Sequence, residues 1–235
     1  MKYVTRLAAG CWLFGAFWLT VATQGIAQPY YVATTGSDGA VGTSWPLAFR
    51  TISNAVAKAS GGDTIWVSNG TYAVTAQITV NKGLTVRSTN GAAVTTVAAS
   101  GGTHSIFRLE HASAVVEGLT VTNGYAASGA GIYLVNGTLR DCVITKNKTW
   151  GNANASSYGS GIYQTGGLVE RCTISSNWTG ASSSYGGLGF GGGIYQTGGI
   201  IRQCRIFGNS TESSYSYQNG RGGGIYIAAP GGTVE

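Results

Sequence analysis

Eight carboxylates, two histidines and fourteen basic side chains are the charged and imidazole groups that this 235-residue chain holds for acid–base chemistry. Hydrolysis of a glycosidic bond needs two carboxylates held across the bond. Here Asp38, Asp63, Glu110, Glu117, Asp141, Glu170 and Glu212 are scattered, Glu235 is the last residue, and no Asp-Asp pair or Asn-Thr-Asp run occurs. Abstraction of a proton beside a carboxylate needs an Arg or Lys base, usually with a carboxylate-bound Ca²⁺ to acidify that proton. Arg87 and Arg108, 21 residues apart, form the best basic pair, and they read more simply as two solvated strand residues. His104 and His111 have no Cys or acidic partner at ligand spacing, so no metal site is expected. No catalytic residue is assigned, and no cofactor is expected.

Binding chemistry is better represented. The segments "KTWGNANASSYGS" (148–160), "WTGASSSYGGLGFGG" (178–192) and "STESSYSYQNGRGG" (210–223) set aromatic rings among Ser, Asn and Gly. They carry Trp150, Tyr158, Trp178, Tyr185, Phe190, Tyr215 and Tyr217. Aromatic faces with small polar donors suit sugar rings, and the same mixture gives antibody loops their adaptable contacts. The plainer reading is that these rings pack the segments onto a scaffold.

A repeat must position them. Gly-Ile-Tyr begins at Gly131, Gly161, Gly193 and Gly224, at spacings of 30, 32 and 31. Eleven positions after each of the first three stands a Cys: Cys142, Cys172 and Cys204. Ile144, Ile174 and Ile206 follow two positions later, and Asn147, Asn177 and Asn209 five positions later. Columns held in register at this period mark a solenoid. Short β-branched runs with glycine turns, and no helical spacing, make it a parallel β-helix whose coils stack about 4.8 Å apart.

The columns then acquire roles. Ile132, Ile162, Ile194 and Ile225 form an inward aliphatic ladder, and Tyr133, Tyr163, Tyr195 and Tyr226 an outward aromatic one. Cys142, Cys172 and Cys204 are odd in number and aim alike, so a reduced, buried ladder is expected. Leu139, Val169 and Ile201, three before each Cys, also face inward, so a corner or bulge lies between. The Asn column is expected at a tight corner, with a left-handed backbone and an amide bonded to its copy in the next coil. Arg140, Glu170 and Arg202 bring opposite charges to adjacent coils.

Residues 64–124 read as earlier, more degenerate coils ("TIWVSNGTY", "ITVNKGLTVRS", "VVEGLTVTNG"). "FRTISNAVAKA" (49–59) is the one good helix candidate after the N-terminus, with Phe49, Ile52, Val56 and Ala59 on one face. It is expected to cap the open end of the solenoid. Residues 1–27 read as a secretory signal: Lys2 and Arg6, then the apolar Leu7–Ala22, then small residues at Gly25 and Ala27. Residues 28–63 would form a lead-in strand and capping helix, and 64–235 the coils. The last motif stops just short of the next Cys position, so further coils or an anchor are expected beyond residue 235.

Composition narrows the class. Gly makes up 39 residues and charged residues only 9 %, a mixture that suits a β-rich extracellular protein. Without Lys2 and Arg6 the chain keeps 12 basic against 8 acidic side chains, a formal +4, and the charges are scattered. A nucleic-acid groove would cluster them.

"YYVATTGSDGAVGTSWPLAFRTISNAVAKASGGDTIWVSNGTY" (30–72) resembles the N-terminal segment of secreted right-handed parallel β-helix proteins of the pectin-lyase-like superfamily. The later "GGGIY … C-x-I-x-x-N" coils resemble bacterial surface β-helix repeats, including those of polymorphic outer-membrane proteins. Those usually carry Gly-Gly-Ala-Ile and Phe-x-x-Asn; here Gly-Gly-Gly-Ile stands at 191–194 and 222–225, and Ile206 takes the Phe place. The resemblance implies an all-β, right-handed parallel β-helix solenoid with a short N-terminal capping helix. It implies a secreted or surface-displayed monomer that binds a polysaccharide or cell-surface glycan, or mediates attachment. Its alternative is a polysaccharide lyase acting by β-elimination on a uronate polymer, with Ca²⁺ and catalytic coils beyond residue 235. A purely structural spacer is a third possibility.

Overall fold

The computed structural model describes residues 26–151, 155–181, 187–213, 220–228 and 231–235. The expected signal at 1–27 lies almost wholly outside them, and among the described residues no helix is long and apolar enough to cross a membrane. The described strands pair in parallel ladders, and each full coil contributes one strand to each of three sheets. Sheet I has eight strands, from Pro29–Val32 through Thr138–Arg140 to Thr233–Val234. Sheet II has six, from Gly70–Val74 through Val143–Thr145 to Arg205–Phe207. Sheet III has six, from Ile78–Val80 through Ile132–Leu134 to Ile225–Ile227. The fold is an all-β parallel solenoid.

Inward residues recur in register, one column per sheet face. Ile132, Ile162 and Ile194 stack with no exposed surface, and Ile225 in the last coil is half-buried. Burial of one such side chain contributes about 1.5–3 kcal/mol. A coil realises that only when its neighbours cover it, which is why solenoid repeats need one another. Glycine opens each Gly-Ile-Tyr because the backbones approach closely there. A Cβ on Gly161 would lie 2.5 Å from the Gly193 carbonyl oxygen and 3.0 Å from Asn177 Nδ2.

Left-handed backbone recurs at four positions per coil: glycine holds two of them (Gly137, Gly167, Gly199 and Gly129, Gly159, Gly191), and the two corners that flank sheet II are held mainly by other residues. The residue before each Cys has positive φ: Asp141 (53°), Arg171 (51°) and Gln203 (54°), with Gly118 (66°) one coil earlier. That single reversal lets Leu139 and Cys142 both face the core. The second corner corrects the expectation for Asn. The left-handed residue is the one before it, at Lys146 (54°), Ser176 (56°) and Gly208 (61°). The Asn itself points inward and bonds between coils. Asn177 Nδ2 donates to Ile144 O (2.9 Å), Ser175 O (3.1 Å) and Asn209 Oδ1 (2.9 Å). Its Oδ1 accepts from Asn147 N and Nδ2, both at 3.0 Å.

The helix is shorter than its sequence pattern, Ile52–Lys58, because Ala59 already has an extended backbone. Phe49, Ile52, Val56 and Ala59 are nonetheless all buried, and the helix packs against the first strands of sheets I and III. Thr51 Oγ1 caps it by accepting from Asn54 N at 3.2 Å. Lys82 Nζ reaches the carbonyls of Val56, Ala57 and Ala59 at its C-terminal end, where a cation complements the helix dipole.

Along sheet I, Arg87, Glu117, Arg140, Glu170 and Arg202 are register neighbours of alternating sign. Glu117 binds Arg87 (2.8 Å) and Arg140 (2.7 Å). Arg171 joins Asp141 to Glu170, both at 2.8 Å. The partly exposed pairs each contribute under about 1 kcal/mol, so they fix register more than stability.

Candidate functional site

Between sheets II and III the chain leaves the coil and builds two small parallel sheets. Four strands form the first: Tyr125–Ala126, Lys148–Gly151, Trp178–Ala181 and Ser210–Ser213. Two form the second: Ser157–Tyr158 and Gly189–Phe190. Alternation sorts their side chains. Thr149, Thr179, Ser157 and Ser160 turn inward, fully buried. Ser160 Oγ shares hydrogen bonds with Thr149 Oγ1 (2.8 Å) and Thr179 Oγ1 (2.5 Å), tying adjacent coils. Lys148, Trp150 and Trp178 turn outward.

The outer face of the four-stranded sheet is an indole platform. The Trp150 and Trp178 rings lie 5.4 Å apart, inclined by 23°. Lys148 Nζ sits 4.3 Å from the Trp178 centroid and 5.2 Å from that of Trp150, within cation–π range. Gly180 is the register partner of Trp150, and a Cβ there would collide with the Trp178 ring and press on that of Trp150. The missing side chain is what lets the rings lie across the strand.

A second group forms where the two-stranded sheet meets sheet III. Tyr133, Tyr163, Tyr195 and Tyr226 stack with centroid spacings of 4.8, 5.2 and 5.5 Å. Beside them, Tyr158 and Phe190 stack at 5.4 Å and 11°. Tyr158 meets Tyr195 edge-on at 4.8 Å, and Phe190 meets Tyr226 edge-on at 5.0 Å. Arg108 covers the Tyr133 end at 4.4 Å. Burial pushes the Tyr163 and Tyr195 phenols above their ordinary value, so both keep their protons and can donate at neutral pH. All six rings are half-buried, fixed on one side and open on the other.

Four of the seven aromatic candidates thus fall into two surfaces: Trp150 with Trp178, and Tyr158 with Phe190. Tyr185, Tyr215 and Tyr217 lie outside the described residues. Sequence reasoning left Lys148 and the four stacked tyrosines out of the site. A signal for the second group exists: Tyr158, Phe190 and Arg221 each stand five positions before a ladder tyrosine.

Arg87 and Arg108 are not stacked neighbours. Arg87 lies in sheet I, over Trp66 and paired with Glu117, whereas Arg108 lies in sheet III, paired with Glu110 at 2.6 Å. Their 21-residue separation is shorter than the 30-residue coil from Arg87 to its register partner Glu117, so it carries the chain only from sheet I to sheet III. Arg202 holds the Glu170 carboxyl below its ordinary range, and Arg171 does the same for Asp141. His104 Nδ1 bonds Ser105 O (3.0 Å) and His111 Nδ1 accepts from Ser113 N (3.1 Å). Among the described residues, no three His, Cys, Asp or Glu side chains are grouped closely enough to hold a metal ion. Cys142, Cys172 and Cys204 are unbridged, each with its Sγ directed at a carbonyl two residues back, at 3.2–3.3 Å. The hydrogen bond Cys172 shares with Cys142, joined by burial, raises its thiol well above the usual value.

No protein-family model matches this chain, and no curated protein matches it significantly. Solved structures do. The chain is similar to the crystal structure of the pectate lyase Pel9A, with TM-score 0.51 and 20 % identity, over 83 % of this chain and 57 % of that one. A rhamnogalacturonan lyase matches with TM-score 0.47 and 14 % identity, over 89 % of this chain and 63 % of that one. Pectin methylesterase PemA from Erwinia chrysanthemi matches with TM-score 0.43 and 14 % identity, over 75 % and 56 %. This chain therefore spans less than two thirds of the length of each. The likeness to Pel9A is one of fold.

Proposed function

We propose that this pectin-lyase-like parallel β-helix is a secreted or cell-surface protein that binds a polysaccharide along its aromatic rows. One observation carries the reading. The rings repeat once per coil, with centroids 4.8–5.5 Å apart, so the rows run parallel to the solenoid axis. A linear polymer laid along that axis meets the same contact again at each coil. The rings are already ordered by stacking and by the buried hydroxyl bonds beneath them, so little side-chain entropy is lost on binding. Trp150 and Trp178 offer ring surface, the tyrosines offer phenol donors, and Lys148 offers a cation for an acidic sugar.

Pectic polymers are the first probes, because Pel9A is a pectate lyase. Affinity electrophoresis in gels containing polygalacturonate, pectic galactan or arabinan reads retention directly. Trp178→Ala and Tyr195→Ala should each weaken retention by about tenfold, the order expected for losing one aromatic anchor. Far-UV circular dichroism should stay unchanged. Unaltered retention in both variants would remove the rows from the account.

The likeness to Pel9A also favours a second reading, a polysaccharide lyase acting on a uronate polymer. Accumulation of unsaturated product from polygalacturonate with Ca²⁺ would replace the binding reading with this one.

A further inference from the structure

The first coils carry a shallow, open depression that the aromatic rows do not use. Trp45, 43 % exposed, stands on its rim. The indole is not loosely held. It begins the 3-10 turn Trp45–Leu47, whose carbonyls accept from Ala48 N (3.2 Å) and Gly42 N (2.8 Å), and its ring meets Tyr31 edge-on at 4.7 Å. The depression holds about 420 Å³ and is lined by Trp45, Ser68, Asn69, Thr89 and Asn90, with no charged side chain among them.

Two amides on neighbouring coils face this depression. Asn90 Nδ2 donates to Asn69 Oδ1 at 2.8 Å. That bond leaves the Asn69 NH₂ as a donor and the Asn90 carbonyl as an acceptor. Exchanging N and O in both amides leaves the same pair of one donor and one acceptor. The turn beneath is fixed: Ser88 Oγ accepts from Asn90 N (3.2 Å) and Gly91 N (2.9 Å). Ser68 Oγ is tied to Tyr72 OH at 2.8 Å, and Thr89 Oγ1 donates to Val67 O at 3.3 Å.

We propose that this depression is a second saccharide site, suited to an uncharged sugar. The ring packs on the Trp45 indole, and two adjacent hydroxyls bond the Asn69–Asn90 amide pair, one donating and one accepting. An acidic sugar gains nothing from its charge here, because no cationic side chain lines the depression to pair with its carboxylate. The site is separate from the aromatic rows and would give the protein two points of attachment to a mixed polymer, which raises avidity.

Isothermal titration of the full chain with neutral oligosaccharides of β-1,4-glucose, β-1,4-xylose, β-1,4-galactose and α-1,5-arabinose tests it. At least one should bind. Trp45→Ala and Asn90→Ala should each weaken that binding about tenfold or more, with Trp45→Phe recovering part of the loss. Retention by polygalacturonate, read in the same variants, should not change, which separates this site from the rows. Absence of binding by all four sugars, or binding indifferent to Trp45→Ala and Asn90→Ala, overturns the proposal. Sedimentation showing a dimer that Trp45→Ala dissolves would also overturn it, by making Trp45, Val41 and Leu47 a protein contact.

Discussion

Asn177→Ala should be far more damaging than its small change in volume suggests. The Asn177 side chain makes three donor contacts and accepts two, spanning three successive coils in a site with 1 % exposure. Truncation removes the acceptor of the buried Asn147 backbone N–H. It also strips one partner each from Ile144 O, Ser175 O and Asn209 Oδ1. A buried donor left unpaired costs about 1–3 kcal/mol, and each lost bond about 1 kcal/mol more, so about 3–5 kcal/mol is expected once partial relaxation is allowed. Asn209→Ala makes the control. Asn209→Ala also takes the Oδ1 acceptor from the Asn177 N–H and amide, but Asn209 is half-buried in a nearly terminal coil that is covered less completely, so a smaller cost of about 2–3 kcal/mol is expected. Urea unfolding followed by circular dichroism, with the m-values compared, reads both. A cost below about 1 kcal/mol for Asn177→Ala, or equal costs at the two positions, would refute the reasoning that the amide ladder holds the coils together.

Gly161→Ala should destabilise by about 1–3 kcal/mol or more in the same assay, because the added Cβ meets the Gly193 backbone carbonyl, which cannot yield as a side chain could. Gly180→Ala should do the reverse: the collision is with the Trp178 ring, which can swing aside, so stability should move by under about 1 kcal/mol while near-ultraviolet dichroism changes and polymer retention falls. Acid should weaken the fold through Glu170 and Asp141. Both carboxyls are held below their ordinary values by arginine partners, so their contribution is intact above the unfolded carboxylate range, about pH 4, and lost as pH falls through the lower folded values. Thermal melts across that range should decline less steeply for Glu170→Gln than for the parent chain.

The coil period was legible because every coil solves one packing problem with the same residue types. Gly161, Ile162, Cys172 and Asn177 each recur in their columns, and the structure places each column in cross-coil register. The corner between Leu139 and Cys142 followed from strand alternation alone. Its position did not, because left-handed backbone usually selects glycine, whereas here Asp141 and Arg171 hold it. Those two residues also pair with each other across coils at 2.8 Å, so side chains at the corner have a use that glycine could not serve. The site was only partly legible. The segments bearing Trp150 and Trp178 were visible by composition, but their alignment through Gly180 depends on which strand residues turn outward. The pairing of Tyr158 and Phe190 with the sheet III tyrosines had a signal in their constant five-residue spacing to Tyr163 and Tyr195, but nothing in that spacing says that the short strand folds back beside the ladder. Arg87 and Arg108 misled because coil length varies: the coil from Trp66 to Arg87 takes 21 residues, but the next, from Arg87 to its register partner Glu117, takes 30.

The measurement that tests the central claim most directly is polymer retention by the Trp178→Ala, Tyr195→Ala double variant against the parent chain. It should be made in gels of polygalacturonate, galactan and arabinan, with folding confirmed by circular dichroism. Binding along the rows predicts that the parent is retarded by at least one polymer. It also predicts that the folded double variant runs as it does in a gel without polymer, apart from any residual retention by a neutral polymer that Trp45→Ala abolishes. A double variant retarded as strongly as the parent, or a parent retarded by none of the three, would contradict it.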